Sequence, residues 1–170
     1  VLVYSDTARD NIQGSRLSPT IVAQVATVPG VAAAGGIATT TTSAVLPDGK
    51  GDLALFGFTP GQPGAPSGLT DGRLPSAANE TAVDAPGATI GSTMTLLPSN
   101  IELQVVGILT GAQFNAAPTA YVDLPSYQAA IKATNPNAPF IPLNAVAVAT
   151  DAGSDPATVA QTITDTVPGT

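Results

Sequence analysis

LTDGRLPSAANETAVDAPGATIGSTMTLLPSNIELQVVGIL, residues 69 to 109, is the stretch that decides the fold. Nearly all of it reads as strand and turn. Glu80 to Asp84 is a short run with Val83 at its centre. Thr93 to Leu97 and Ile101 to Leu109 are two strand-like runs, and Pro98, Ser99 and Asn100 between them are turn residues. In Ile101-Glu102-Leu103-Gln104-Val105 apolar and polar residues alternate strictly, which predicts a strand with one buried face. Val106-Gly107-Ile108-Leu109 is apolar on both faces, so the same strand runs deeper there.

The segments on either side resemble each other. Val1-Leu-Val-Tyr-Ser5-Asp6 leads to Ser18-Pro19-Thr20-Ile21 and then to Thr27-Val28-Pro29-Gly30. Val146-Ala-Val-Ala-Thr150-Asp151 leads to Asp155-Pro156-Ala157-Thr158 and then to Thr166-Val167-Pro168-Gly169. Each reads strand, Asp, loop, capped helix, Val-Pro-Gly stop. Ser18 and Asp155 are the expected N-caps, with Pro19 and Pro156 at the first helical position. Leu17, Ile21, Val25 and Val28 share one face of the first helix, and Val159, Ile163 and Val167 one face of the second. A strand follows Gly30, over Val31 to Ala38 and on toward Val45. The matching expectation is that the natural chain continues past Gly169 into a last strand, and that β-α-β symmetry brings Val1 and Thr170 to one end of the domain.

Between the two copies lies an insertion. Pro47 to Asp52 is the turn of a hairpin joining Thr39–Val45 to Asp52–Thr59. Residues 59 to 68 hold three Pro and three Gly and read as loop. Thr119 to Val122 is a short strand. Asp123-Leu-Pro-Ser-Tyr127 opens a helix that runs to about Thr134, with Tyr127, Ala130 and Ile131 inward. The expected class is α+β. Residues 1–45 with 143–170 form two βαβ-like repeats, a small sheet with helices, and residues 46–142 form an inserted, mostly β subdomain.

Composition narrows the chemistry. A chain of 170 residues is one domain, or one domain with a large insertion. Net charge is −7 with only five Lys and Arg, which repels nucleic acid and offers nothing to anionic lipid. There is no Cys and no His, which removes thiol chemistry, the commonest general base and the commonest zinc ligand. No run is long and apolar enough to span a membrane as a helix. The Ala, Thr, Val and Pro richness is that of a high-GC genome.

Candidate sites are few. Asp48, Lys50 and Asp52 have too few oxygen ligands for a calcium loop and suit an exposed turn. Asp71, Arg73, Glu80 and Asp84 offer carboxylates for acid–base work, but nothing in their spacing sets two face to face. The competing reading makes Arg73 a structural pin between strand and turn. Ser and Thr nucleophiles lack a His, and Lys50 and Lys132 lack a Ser-x-x-Lys context. No phosphate loop occurs, so ATP binding by this chain is not expected. Phe114 and Phe140 fall in loops, either as exposed contacts to a partner or as tucked anchors.

One series of residues carries a family resemblance. Gly72-Arg73, Glu80-Thr-Ala-Val83-Asp84, Ile90-Gly91-Ser92 leading into Thr95-Leu96, and Val105-Val106-Gly107-Ile108 follow one another in order. The series resembles the extracytoplasmic core domain of ABC-transporter permeases of the MacB/FtsX/LolC type. There a Gly-Arg is followed by Glu-x-Val-Val-Asp/Asn, Gly-Asp-x-x-x-Leu and Val-Val-Gly-Ile. The chain departs from that pattern twice: Ala85 to Thr89 replaces a short helix, and Ser92 replaces the acidic residue.

The resemblance implies a non-catalytic domain on the outer side of a bacterial plasma membrane, set between membrane helices that lie outside these residues. With the composition it implies a high-GC Gram-positive source. Gly72, Arg73, Glu80, Val83, Asp84, Gly91, Val106 and Gly107 would be structural motif residues. The domain itself would need no cofactor, because ATP is used by a partner ATPase in the cytoplasm. The other implied partners are a second permease copy and an extracytoplasmic protein, or a lipid or peptide cargo. The domain alone would be a monomer or a weak dimer. Two other classes stay open on the residues alone: a stand-alone extracytoplasmic binding or adhesion module, and a Ser/Thr or carboxylate hydrolase.

Overall fold

The structure, a computed structural model, describes residues 1–9 and 11–170. It is α+β. The strands are β1 (Leu2–Val3), β2 (Val31–Leu46), β3 (Gly49–Phe58), β4 (Leu69–Gly72), β5 (Glu80–Asp84), β6 (Thr93–Leu97), β7 (Ile101–Leu109), β8 (Thr119–Asp123) and β9 (Ala145–Thr150). The helices are α1 (Ile21–Ala26), α2 (Leu124–Thr134) and α3 (Pro156–Thr166). Among the described residues no helix is long and apolar enough to cross a membrane.

The strands form one sheet in the order β1-β9-β2-β3-β8-β5-β7-β4, and β6 bridges β2 and β7. That bridge closes a ring. β2 pairs with β3, β3 with β8 in parallel, β8 with β5, β5 with β7 in parallel, β7 with β6, and β6 again with β2. Six strands therefore make a closed barrel, which removes their open edges. The alternation in β7 turns Leu103 and Val105 inward and leaves Glu102 and Gln104 exposed. Leu103 and Val105 join Leu53, Leu55, Val83, Met94, Leu96 and Val122 in one continuous core. Aliphatic residues do this work because aromatics are only 4% of the chain.

β2 is the spine. Its first half pairs with β9 and its second half with β6 on the same side, while β3 runs along the other. The boundary drawn at residue 45 thus falls at the end of a strand that serves both the β1/β9 layer and the barrel. On one face, α1, α2 and α3 share the core that continues into the barrel. On the other, Ile37, Ala54, Phe56, Ala145 and Ala147 form a second cluster, with Tyr4, Ile12, Phe114 and Tyr121 packed against it.

The helices largely follow their sequence signals. Asp123 caps α2 by accepting from the Ser126 N–H, and Asp155 caps α3 by accepting from the Thr158 N–H. α1 starts later than Ser18 and Pro19 imply. Leu17 exchanges backbone hydrogen bonds of 2.8 and 3.0 Å with Leu143, which holds it extended, and helix begins only at Ile21. Thr20 occupies the cap position with no side-chain hydrogen bond. The apolar face is nonetheless the expected one, since Leu17, Ile21, Val25 and Val28 are all buried.

The direction of β9 corrects the placement of the chain ends. β9 is antiparallel to both β1 and β2, so β1 and β2 run parallel with β9 between them. α3 then carries the chain back to the far end of β1, where the Asp6 N–H donates to the Gly169 carbonyl at 3.1 Å. Val1 bonds to Val148 at the other end of the same strand. Val1 and Thr170 line one cleft but lie about 15 Å apart along it, at roughly 3.3 Å per residue. Local pattern does not fix strand direction. Here the long return through the barrel brings β9 in from the Ser5 end.

Candidate functional site

The motif residues gather on β4, β5 and β7 and on the loops those strands hold. Gly72 ends β4 opposite Gly107 of β7. Their crossing is too close for side chains. A Cβ on Gly107 would lie 2.2 Å from the Arg73 carbonyl oxygen, and one on Gly72 would lie 2.2 Å from the Val106 carbonyl oxygen. Gly72 also has φ of +70°, a left-handed value that favours glycine. The crossing lets the Arg73 N–H donate to the Val106 carbonyl at 2.9 Å and aims the Arg73 side chain over the loop toward β5.

That loop, residues 73 to 80, is closed by a fork. Both terminal nitrogens of Arg73 donate to the two carboxylate oxygens of Glu80. Glu80 Oε2 also accepts from the Ser76 and Ala77 N–H groups at 3.1 and 3.2 Å. Hydrogen bonding from Arg73, then from the Ser76 N–H, lowers the Glu80 pKa from its ordinary 4.5 to about 2. A lowered carboxylate pKa adds stability above the unfolded value and loses it as pH falls through the folded one. Glu80→Gln should therefore melt below the wild type near neutral pH, and the gap should close as pH falls from 4.5 toward 2. Melting curves across that window check this. A gap that stays constant would detach the fork from the acid response.

Asp84 holds a different loop. Its Oδ2 accepts from the Ala112 N–H at 2.7 Å, while the Tyr121 hydroxyl donates to the Ala112 carbonyl at 2.7 Å. Burial, then the Asp84 charge, raises the Tyr121 pKa, so the phenol keeps its donor proton. Phe114 follows in the same loop. It is half-buried, edge-on to Phe56 at 5.3 Å, and Phe56 stacks on Tyr121. Phe140 lies on the Pro-rich link to β9 and is 56% exposed.

The remaining motif residues are structural in placement. Val83 is fully buried in the barrel. Gly91 turns with φ of +85° and donates its N–H to the Val105 carbonyl, and the Val105 N–H donates to Ser92, extending the ladder between β6 and β7. Asp71 accepts from the adjacent Gly72 N–H. Asp71, Glu80 and Asp84 thus each have a separate partner. Among the described residues no group of three or more acidic side chains gathers in metal-binding geometry. Asp48 is exposed in the turn between β2 and β3, whereas Lys50 and Asp52, expected in that turn, are exposed residues of β3 paired with Val45 and Ser43.

One organising residue carried no sequence signal. Asn144 is 4% exposed; its amide donates to the carbonyls of Ile12 and Ser15, and its oxygen accepts from the Thr39 N–H. It ties the loop after β1 to the point where β2 leaves β9. A single Asn after a Pro-rich link is not distinguishable from any other turn residue.

No family model and no curated protein matches the chain. Solved structures do. The periplasmic region of MacB from Actinobacillus actinomycetemcomitans aligns with TM-score 0.71 at 10% identity, over 96% of this chain and 80% of that one. The extracellular domain of the noncanonic ABC-type transporter YknZ from Gram-positive bacteria aligns with TM-score 0.67 at 13% identity, over 95% and 86%. A domain of a Porphyromonas gingivalis protein described as a permease aligns with TM-score 0.57 at 13% identity, over 88% and 76%. The chain has the fold of the extracytoplasmic domains of ABC-type transporters of the MacB and YknZ kind.

Proposed function

We propose that the chain is the extracytoplasmic domain of an ABC-transporter permease and that it works without chemistry of its own. It relays or gates movement driven by ATP hydrolysis in a cytoplasmic partner. The observation that carries this reading is a fold shared with two transporter domains over 95% and 96% of the chain. The motif residues fit it: they fix loops at a strand crossing, and the Glu80 and Asp84 carboxylates are each engaged in holding one. Phe140, 56% exposed on the link between α2 and β9, is the more available of the two loop aromatics for a second permease copy or an extracytoplasmic partner.

The test uses the intact protein in living cells. This stretch has no Cys, so Asp48→Cys in the exposed turn after β2 gives a reporter, with the unsubstituted protein as blank. A membrane-impermeant maleimide should label it without lysis, and membrane-spanning helices should flank residues 1–170 on both sides. Labelling only after lysis, or a protein with no membrane helix beside this domain, overturns the proposal.

A further inference from the structure

β9 and β6 pair with the same side of β2 and leave a notch between them. The pairing with β9 stops at Ile37, and the pairing with β6 starts at Ser43. At the β9 end the Asn144 N–H donates to the Ile37 carbonyl, and the Asn144 side chain accepts from the Thr39 N–H at 2.8 Å. Backbone groups change sides from one strand residue to the next, so Thr41 faces the notch as Ile37 and Thr39 do. Among the described residues the Thr39 carbonyl and the Thr41 N–H and carbonyl have no strand opposite them and no other hydrogen-bond partner. Thr41 is exposed, so water reaches these groups.

A pocket of about 160 Å³ opens beside the same three residues, Thr40 to Thr42, on the face covered by α2. Thr40 lies opposite Leu55, which puts its side chain on the face of the barrel core. Leu55, Leu96 and Ala130 line the pocket and are buried, and Ile131 is half-buried. Pro98, in the turn between β6 and β7, and Thr134, at the end of α2, are its exposed rim. No lining residue is charged. The volume is close to the roughly 150 Å³ in which an apolar cavity holds a benzene ring. The pocket therefore suits one branched aliphatic or phenyl side chain and rejects an ion.

We infer that the notch and the pocket are one recognition site for a short extended segment of another polypeptide. Free backbone groups beside an apolar pocket are what binding by strand addition needs: the main chain supplies affinity and the pocket supplies choice. The segment runs antiparallel to β2, as β9 and β6 both do. One of its residues faces Thr41 and exchanges both backbone hydrogen bonds with it. The next residue faces Thr40, and its uncharged apolar side chain enters the pocket under α2. The notch spans only Thr39 to Thr41, about 10 Å at roughly 3.3 Å per residue, so two or three residues of the segment make contact. The notch belongs to this fold whatever protein carries it, so the outcome leaves the transporter role untouched.

The test titrates the 170-residue chain with three blocked peptides and follows it by NMR. The first is acetyl-Thr-Val-Leu-Thr-amide. The second carries Lys in place of Leu. The third keeps Leu and is methylated on the amide nitrogen of Val, which faces Thr41. The first peptide should shift the Thr41 amide and the Ile131 methyl signals together and saturate, with a Kd near or below about 1 mM. The other two should bind about tenfold more weakly or worse, one for its charge and one for its lost hydrogen bond. Equal binding of the Leu and Lys peptides overturns the proposal, because the pocket then selects nothing. Equal binding of the methylated peptide also overturns it, because the pocket then takes apolar groups, lipid chains included, without strand pairing. So does failure of the first peptide to saturate, or Thr41 shifts that appear on concentrating the protein alone, which assign the notch to a second copy.

Discussion

Gly107→Ala should cost the domain roughly 2–3 kcal/mol, although it adds a single methyl group. The added Cβ would lie 2.2 Å from the Arg73 carbonyl oxygen and 3.1 Å from the Ala82 Cβ. Neither neighbour is a flexible side-chain end. Arg73 follows β4 and Ala82 belongs to β5, and β7 is hydrogen-bonded to both strands. Relieving the contact means moving one of two ladders. The position has no left-handed backbone, so the cost reports close approach alone. Gly51→Ala is the contrast. It sits in β3 with the nearest atom 3.8 Å away, an ordinary contact. Alanine there should fall within about 0.5 kcal/mol of wild type or slightly above it. Denaturant unfolding of the two variants decides the matter. Equal stabilities would mean that β4 and β7 do not cross closely.

The effect should reach the fork between Arg73 and Glu80. The Arg73 N–H bonds to the Val106 carbonyl beside Gly107, so widening this crossing moves the guanidinium away from Glu80. Gly107→Ala should then also weaken the response to acid expected of Glu80. Gly107 and the Gly72-Arg73 pair therefore act as one device.

Elements that local chemistry specifies were legible in the sequence. The alternation at Ile101 to Val105 gave the facing of β7. Asp123-Leu-Pro and Asp155-Pro gave the starts of α2 and α3. Pro47 to Asp52 gave a hairpin turn between β2 and β3, but the turn itself is only Pro47-Asp48, because β3 already pairs with β2 from Gly49. Features set by distant contacts were not legible. Nothing near Ser18 announces that Leu17 is held extended by Leu143. Nothing in β3, β5, β7 or β8 shows that two of their pairings are parallel, or that β6 returns to β2 and closes the ring. Side-chain alternation fixes the face of a strand but not its neighbour or direction. The same limit produced the error over the chain ends. In the site, the residues suggest Arg73 as a pin between strand and turn but do not say which of Asp71, Glu80 and Asp84 it holds; the structure gives Glu80. The loop held by Asp84 needs Ala112 and Tyr121, which the antiparallel pairing of β5 with β8 brings beside Asp84.

Barrel closure makes a second large expectation. Leu103 is 1% exposed and faces Met94 across the pairing of β7 with β6. It belongs to one core with Leu53, Leu55, Val83 and Leu96 from other strands of the ring, each nearly or fully buried. A cavity cut into an open sheet shrinks when a neighbouring layer settles. In a closed ring the strands are bonded on both sides and cannot settle independently. Leu103→Ala should therefore cost toward the upper part of the usual range of about 2–5 kcal/mol. Gln104→Ala, one residue along and exposed, should change stability by no more than about 0.5 kcal/mol. The pair also tests register, since a slip by one residue would exchange the two environments. Urea unfolding of both variants is the measurement. A loss of less than about 1 kcal/mol for Leu103→Ala would mean that the site collapses freely, which a closed barrel does not allow.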